Sequence, residues 1–260
     1  MDATWSVNDP AWDDIPPGMN GKILREYVFF RHAESRSNAD LMGGKGAGSH
    51  GNSVLTPRGK RQAKAVQVII KKMIDSDPDN TDVWVSPLVR AKETIGDVVP
   101  HYINTALHEK NTTPEGEHIK EDEERFKQRV AWAISILLRG SEGSRGVRHR
   151  VIIVGHSLFI NELVCQMVGD KNITGFFHFT NGSITTICQT TAGTELTMLG
   201  GVYHLTPDDR TGGHTNLLKL MPATNDVHLS LSCDYSDLRW LFMVSVVMVG
   251  ILGYQYTTCE

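Results

Sequence analysis

The sequence alternates short β-branched segments with longer amphipathic segments between residues 23 and 205. Strand-like segments are ILREYVFF (23–30), DVWVS (82–86), VIIVG (151–155), SITTICQT (183–190) and TELTMLGGVYHL (194–205). Helix-like segments are LTPRGKRQAKAVQVIIKKMI (55–74), PLVRAKETIGDVV (87–99), EDEERFKQRVAWAISILL (121–138) and HSLFINELVCQMV (156–168). This alternation predicts an α/β domain, a three-layer α/β/α sandwich with a mostly parallel central sheet. Thr56 and Ser86, each followed by proline, are predicted to begin helices.

Composition narrows the class of protein. A chain of 260 residues suffices for one sizeable α/β domain. Its formal net charge of -4 argues against a nucleic-acid partner, which would favour a basic surface. The four cysteines form no C-x-x-C pair and are predicted to be reduced. There is no H-E-x-x-H motif and no carboxylate cluster, so we predict no metal site and no cofactor.

The two ends of the sequence differ from the middle. Residues 1–22 are acidic and are predicted to be a tail, followed by a domain over 23–232. No charged residue occurs from Trp240 to Tyr256, and aromatic residues stand at both ends of this segment. It predicts a transmembrane anchor at 238–256 that leaves the domain over 23–232 in the cytosol. The alternative is a buried final element of a cytoplasmic protein.

Three predicted strands end in residues suited to anion chemistry. They lead into Arg31-His32, into Ser86 with Arg90 one helical turn further on, and into Gly155-His156. Ligands of open α/β sheets bind beyond the carboxyl ends of the strands, so these residues are expected to converge. A neutral imidazole can attack phosphorus, and arginines can hold the non-bridging oxygens. A carboxylic acid is then needed to protonate the leaving oxygen.

Five segments carry a resemblance to a known family. RHAESRSN (31–38), LTPRGKRQA (55–63), SPLVRAKET (86–94), VIIVGHS (151–157) and TNGSITTI (180–187) occur in the same order as the motifs of the histidine phosphatase superfamily. The chain therefore resembles this superfamily, which has the phosphoglycerate mutase-like fold. The resemblance implies that His32 is the catalytic nucleophile. It also implies that Arg31, Arg90 and His156 line the phosphate pocket, where His156 takes part in catalysis, and that Asn38 contacts the phosphate.

The catalytic acid is assigned by the same resemblance to Glu109, in the segment Leu107-His108-Glu109. Glu115 and Glu117 remain competing candidates, because the family often has a Glu-Gly pair shortly after the acid. Two residues depart from the usual pattern, since Ala33 and Ser157 stand where glycine is common. Glu34 is expected to stabilise a helix start or to orient an arginine rather than to react.

Several functions remain open from the sequence. The acidic surroundings of Glu109 favour a metal-independent phosphatase with a phosphorylated substrate, and a phosphoglycerate mutase-type transferase is the alternative. A catalytically weak, phosphate-binding membrane adaptor is a third possibility. A serine esterase would use Ser157, Asp209 and His228, but Phe159 stands where the nucleophile elbow needs glycine.

Other polar segments are interpreted as surface. Residues 36–53 are expected to form a long flexible loop that selects the substrate together with residues 108–120. A solvated basic patch is predicted from Arg145, Arg148 and Arg150, and a surface position is predicted for His50, His101, His118, His149 and His214.

Overall fold

The computed structural model describes residues 23–42, 52–139, 149–169 and 179–211. In this part of the chain the strands are β1 (Ile23–Arg31), β2 (Thr81–Val85), β3 (Tyr102–Ile103), β4 (His149–Gly155), β5 (Ile184–Thr190) and β6 (Thr194–Gly201). The helices are α1 (Arg36–Met42), α2 (Pro57–Ser76), α3 (Val89–Ile95), α4 (Glu123–Arg139) and α5 (Ser157–Val168). Short 3-10 turns occur at Pro78–Asn80, Thr105–Leu107 and Pro207–Asp209.

The strands form one sheet in the order β3-β2-β4-β1-β5-β6. The first four strands in this order are parallel, while β5 pairs antiparallel with β1 and with the edge strand β6. In the register of the central pair, Arg31 lies beside Gly155. The predicted α/β fold with a mostly parallel sheet is confirmed, and β5 and β6 form an antiparallel hairpin at one edge of the sheet.

Each face of the sheet is covered by a different pair of helices. Alternate residues of a strand point to opposite faces, so a strand buried on both sides is apolar throughout. On one face of the sheet, α4 and α5 pack against β1 and β4. The residues of this cluster include Tyr27, Phe29, Val151 and Ile153 of the strands, Phe126 and Val130 of α4, and Phe159 and Leu163 of α5. On the other face, α2 and α3 pack against the same two strands. The residues of this cluster include Val28, Phe30, Ile152 and Val154 of the strands, Val66 and Ile70 of α2, and Ala91 and Ile95 of α3. These two cores are the physical basis of the three layers.

Helix α2 begins where the sequence predicts, whereas helix α3 does not. Thr56 is the N-cap of α2, as predicted, and its Oγ1 accepts a hydrogen bond from the backbone N–H of Gly59 at 2.9 Å. Helix α3 begins later than predicted, at Val89 with Leu88 as its N-cap. Ser86 does not cap this helix, because its hydroxyl is hydrogen-bonded to His156 at 2.7 Å.

Three predictions of surface or loop positions are wrong. Residues 36–42 form α1 rather than part of a flexible loop. Arg150 is buried, where it forms an ion pair with Glu26 at 2.6 Å and donates to the carbonyl oxygen of Met73 at the end of α2. His149 is also buried, with its Nε2 3.3 Å from a carboxylate oxygen of Asp82. The packing of α2 against the amino ends of β1 and β4 explains why Arg150 is enclosed.

The predicted tail at 1–22 and the predicted anchor at 238–256 lie outside the described residues. Among the helices that the structure does describe, none combines the length and the apolar character that a membrane span requires.

Candidate active site

The carboxyl ends of β1 and β4 bring two histidines together. The backbone N–H of His32 donates to the carbonyl oxygen of Gly155 at 2.9 Å, which aligns the chain beyond the two strands. The rings of His32 and His156 are then 5.1 Å apart between centroids and inclined by 56°. Beyond β2, the backbone N–H of Ser86 donates to the carbonyl oxygen of Val154 at 3.0 Å. The three predicted strand ends therefore meet at one site.

The hydrogen bonds of His32 assign its tautomer. Its Nδ1 lies 2.7 Å from the carbonyl oxygen of Ala33, so Nδ1 carries the proton and donates it. Its Nε2 accepts a hydrogen bond from Nε of Arg90 at 3.1 Å. Burial lowers the pKa of His32 well below 6.5, and the charges of Arg90 and Arg31 lower it further. His32 is thus a neutral imidazole at neutral pH, with the lone pair on Nε2.

His156 and Arg31 each have a buried nitrogen atom in the site without a hydrogen-bond partner among the residues that the structure describes. Nε2 of His156 is hydrogen-bonded to Ser86, whereas Nδ1 has no partner within the described residues. The guanidinium of Arg31 donates through Nη1 to the carbonyl oxygen of Phe179, but its Nε also has no partner there. Unsatisfied buried polar atoms are costly in the interior of a protein, so such atoms suit a ligand with acceptor oxygens.

Burial lowers the pKa of both Arg31 and His156, but the two side chains end in different protonation states. It lowers the pKa of Arg31 to about 10, so the guanidinium stays charged at neutral pH. Burial also lowers the pKa of His156 well below 6.5, assisted by the charges of Arg90 and Arg31. Positive charge in the site therefore comes from Arg31 and Arg90, and both histidines are neutral.

Glu109 lies beside these cations. It follows the 3-10 turn Thr105–Leu107, and its Oε1 accepts from the backbone N–H of Lys110 at 2.9 Å. Burial raises the pKa of Glu109 above 4.5, although Arg90, Arg31 and the backbone N–H of Leu158 all favour the charged form. The carboxyl group is therefore near both arginines and the start of α5.

The competing carboxylates are placed elsewhere. Glu115 and Glu117 are exposed and belong to a turn in which Gly116 adopts a φ of 91°. The carbonyl oxygen of Glu115 accepts from the side chain of Asn52 at 2.8 Å. Of the three candidate acids, Glu109 is the one whose charge interacts with the two site arginines.

Asn38 is held by other protein groups at the edge of the site. Its Oδ1 accepts from the backbone N–H of Ser35 at 3.2 Å and from Nδ2 of Asn181 at 3.1 Å. The same Nδ2 donates to the carbonyl oxygen of His32 at 3.1 Å. Asn181 therefore links Asn38 to the backbone of His32. We did not predict this role, although the motif TNGSITTI contains the residue.

The segment after His32 is fixed to the start of α2. The carboxylate of Glu34 accepts from Oγ1 of Thr56 at 2.6 Å and pairs with Arg58, which fits the supporting role expected for it. Ala33 is fully buried against Leu55 and Ala63, and its backbone is not in the left-handed region. The added methyl group at this position is accommodated in the fold.

Two of the three residues proposed for an esterase, Ser157 and Asp209, lie within the described residues. Oγ of Ser157 has no hydrogen-bond partner in the described part of the chain, and Asp209 pairs with Arg61 at 2.8 Å. His228 lies outside the described residues. Within the residues that the structure describes, no three side chains of the metal-binding types are grouped so that they could hold a metal ion.

A family model matches residues 27–110 of this sequence, and its description is histidine phosphatase superfamily (branch 1). The match contains the segment from Arg31 and His32 through Arg90 to Glu109. No curated protein matches the sequence. The family resemblance identified from the motifs is confirmed by this match together with the fold.

Solved structures of phosphatases share the fold. A phosphoserine phosphatase mutant from Entamoeba histolytica, in complex with phosphoserine, is 18% identical with a TM-score of 0.52, and the alignment covers 70% of this chain and 100% of that chain. A mycobacterial glucosyl-3-phosphoglycerate phosphatase is 17% identical with a TM-score of 0.53, covering 68% and 100%. The alpha-ribazole phosphatase from Shigella flexneri is 22% identical with a TM-score of 0.50, covering 66% and 94%. At these identities the likeness establishes the fold.

Proposed function

We propose that this protein, a member of the histidine phosphatase superfamily, hydrolyses phosphomonoesters through a phosphohistidine intermediate without a metal ion. The observation that carries the proposal is the buried, neutral His32, whose Nε2 lone pair faces Arg90 beside a second neutral histidine. A neutral imidazole is the form that can act as a nucleophile. A deeply buried imidazole between two arginines would otherwise be an unfavourable arrangement.

The phosphoryl group of the substrate would bind where the unpartnered donors lie. Nε of Arg31 is a buried donor without a partner among the described residues, and so is Nδ1 of His156 in the tautomer whose Nε2 accepts from the hydroxyl of Ser86, so each can donate to a non-bridging oxygen. Arg90 would exchange its hydrogen bond with Nε2 of His32 for one to the phosphate, and this exchange frees the nucleophile. The two guanidinium charges then stabilise the charge on the transferring group.

The first chemical step would form a bond between Nε2 of His32 and phosphorus. The bond from phosphorus to the ester oxygen breaks, and Glu109 donates its proton to that oxygen as the alcohol leaves. Glu109 is suited to this role because burial raises its pKa and so favours the protonated form.

The second step would use the carboxylate that remains. Glu109 takes a proton from water, the water oxygen attacks phosphorus, and the bond to Nε2 breaks with its electron pair returning to the imidazole. The products are inorganic phosphate, neutral His32 and protonated Glu109, so the site returns to its starting state.

Hydrolysis of an aryl phosphate by the full-length protein with EDTA present tests the proposal. We expect turnover in the wild type, and we expect His32→Ala to lose it down to the uncatalysed background. His118→Ala, at an exposed histidine, is the matched control and should retain activity. Labelled phosphate trapped on the wild type should be stable in base and labile in acid, as a phosphoramidate is. Turnover that survives in His32→Ala would contradict the proposal.

The substrate screen begins with the phosphate esters of the structural neighbours. Phosphoserine, glucosyl-3-phosphoglycerate and alpha-ribazole phosphate are named for those proteins and represent three classes of leaving group. A mutase would instead transfer the phosphoryl group of the intermediate to a phosphoglycerate. Release of inorganic phosphate at the rate of ester consumption supports the phosphatase, and isomerised phosphoglycerate without release supports the mutase.

Membrane attachment is a separate proposal that rests on the apolar sequence from Trp240 to Tyr256. If a helix over 238–256 anchors the protein, membrane-associated phosphates become its nearest substrates. Fractionation of cells that express the full chain, beside a chain that ends at Asp237, tests this. We expect the full chain in the membrane fraction, and equal solubility of the two chains would contradict the anchor.

A further inference from the structure

We propose that Arg129 is a positioning residue that holds the chain segment before Glu109, and therefore the carboxyl group of Glu109, against the phosphate site. The inference rests on the proposed function, in which Glu109 is the general acid. Arg129 itself lies on α4 and contacts the backbone of this segment rather than its side chains.

The contacts of Arg129 are made to two backbone carbonyl groups. Its Nη1 donates to the carbonyl oxygen of Ala106 at 2.8 Å and to that of His108 at 2.8 Å. The second carbonyl belongs to the peptide bond that joins His108 to Glu109. One nitrogen atom of Arg129 therefore fixes the path of the chain on both sides of Leu107, directly before the acid.

The guanidinium of Arg129 is itself held in one orientation. Nε donates to Oε1 of Glu121 at 2.9 Å and Nη2 donates to Oε2 at 2.7 Å, which is the bidentate geometry of an arginine–carboxylate pair. Glu121 is tied back to the acid segment, since its backbone N–H donates to Oδ1 of Asn111 at 3.1 Å. The loop that follows Glu109 therefore ends at Glu121, which holds Arg129 through its carboxylate and Asn111 through its backbone N–H.

Two aromatic rings enclose the charge. The guanidinium carbon of Arg129 lies 5.2 Å from the ring centre of Phe126 and 5.8 Å from that of Phe159. Phe159 is on α5, three residues after His156, so Arg129 connects the acid segment to the helix that begins in the phosphate site. The side chain of Arg129 is only 14% exposed.

Glu109 depends on this support because the hydrogen bonds to its carboxyl group come from backbone groups, while Arg90 and Arg31 act on it through their charge. Its carboxyl group accepts from the N–H of Lys110 and interacts with the N–H of Leu158. These donors fix the carboxyl group only if the chain at 106–109 keeps its place relative to α5. A general acid must lie within hydrogen-bond distance of the leaving oxygen, and a displacement of about 1 Å can reduce the rate about a hundredfold.

The leaving group of the substrate distinguishes a positioning role from a purely structural one. An alkyl phosphate needs protonation of its leaving oxygen, whereas dinitrophenyl phosphate expels a stabilised anion and needs no acid. We therefore expect Arg129→Gln to lower kcat/KM about tenfold to a hundredfold for an alkyl phosphate and less than about threefold for dinitrophenyl phosphate. The full-length protein is used, and kcat/KM is chosen because it reports the steps up to formation of the phosphohistidine.

The control and reference variants lie in the same region. Arg125→Gln removes an exposed arginine one turn earlier on α4 and should leave both substrates unchanged. Glu109→Gln removes the acid, so its loss of kcat/KM should also be greater for the alkyl phosphate than for dinitrophenyl phosphate, and the difference should be larger than in Arg129→Gln. Arg129→Lys keeps the charge but not the bidentate pair, and we expect it to fall between the wild type and Arg129→Gln.

The possible results separate this inference from the proposed function. The positioning role is overturned if Arg129→Gln and Arg129→Lys lose kcat/KM equally for both substrates, or lose it for neither. In that case the proposed function stands as long as the loss in Glu109→Gln still depends on the leaving group. If Glu109→Gln shows no such dependence, the proposed acid is wrong and the inference fails with it. If Arg129→Gln does not fold, the same comparison between substrates is made with Arg129→Lys.

Discussion

Burial sets the protonation of the individual residues in the candidate site. Burial lowers the pKa of Arg31 only to about 10, so this guanidinium keeps its charge at neutral pH, and burial lowers the pKa of Arg90 in the same direction. The histidines lose theirs, since burial and the neighbouring arginines act in the same direction on an imidazole. Glu109 is affected in the opposite sense, as burial favours the neutral acid. One buried environment therefore yields a neutral imidazole at His32, cationic guanidinium groups and a carboxyl group whose neutral form is favoured.

The pH dependence of catalysis follows from these shifts. His32 must be neutral, and its pKa is lowered well below 6.5, so kcat/KM is limited by this group only in acid. Glu109 must be protonated, and its pKa is raised above 4.5. Activity should therefore fall as the pH rises through the raised pKa of Glu109. Profiles of kcat/KM for an alkyl phosphate should show this decrease in the wild type.

Glu109→Gln provides the comparison for that profile. The amide cannot lose a proton in this range, so the decrease at high pH should be absent, and the rate at the optimum should be about a hundredfold lower. Glu115→Gln is the matched control, because Glu115 is an exposed carboxylate in the same segment. A decrease that persists unchanged in Glu109→Gln would show that another group is the acid.

The elements meet closely where α2 passes the segment after His32. Gly59, in the first turn of α2, lies against the backbone of Glu34, and a Cβ at this position would be 2.0 Å from the carbonyl oxygen of Glu34. Backbone groups cannot yield as a flexible side chain can. The glycine of the LTPRGKRQA motif is therefore explained by the approach of a helix to the site.

Gly59→Ala should destabilise the protein, although glycine to alanine inside a helix ordinarily stabilises it by about 0.5–1 kcal/mol. We expect a loss of about 1–3 kcal/mol in the free energy of unfolding, as for other overpacked sites. Urea unfolding measures it, and Lys64→Ala at an exposed position of α2 is the control, with an expected change within about 0.5 kcal/mol. An unchanged or higher stability of Gly59→Ala would contradict this account.

For the whole molecule, the sequence predicts the strands of the sheet better than it predicts the side-chain contacts of the candidate site. The apolar segments of β1 and β4 are unambiguous, and their ends place His32 and His156 together. The role of Ser86 was missed, because a serine before proline has the same local pattern whether it caps a helix or contacts a distant histidine. The burial of Arg150 was missed for a similar reason, since its partner Glu26 is 124 residues away. Contacts between distant segments leave no local signal.

The same long-range contacts explain why the acid could not be chosen from the sequence alone. Glu109, Glu115 and Glu117 occur within nine residues, and all lie in one predominantly polar segment. What separates them is the path of the chain at 106–109, which depends on Arg129 of α4. Arg129 appears in the sequence as an ordinary helix arginine, so this support was not predicted.

The ion pair between Glu26 and Arg150 should contribute to stability and not to catalysis. It joins β1 to β4 with both side chains 4% exposed. Arg31 is five positions after Glu26 on β1, a distance of about 16–17 Å along a strand. Arg150→Met leaves the carboxylate of Glu26 buried without this partner, so we expect a loss of about 3–5 kcal/mol in the free energy of unfolding.

The double variant Glu26→Leu/Arg150→Met separates the net contribution of the pair from the cost of an uncompensated charge. Replacement of both partners by apolar side chains removes the buried charge, so this variant should be much more stable than Arg150→Met alone and close to the wild type. Urea unfolding of the three proteins gives the comparison. Because the pair lies at the amino ends of the strands, kcat/KM of the folded variants should match that of the wild type. A double variant no more stable than Arg150→Met, or a folded variant with altered kcat/KM, would show that this end of the sheet is coupled to the phosphate site.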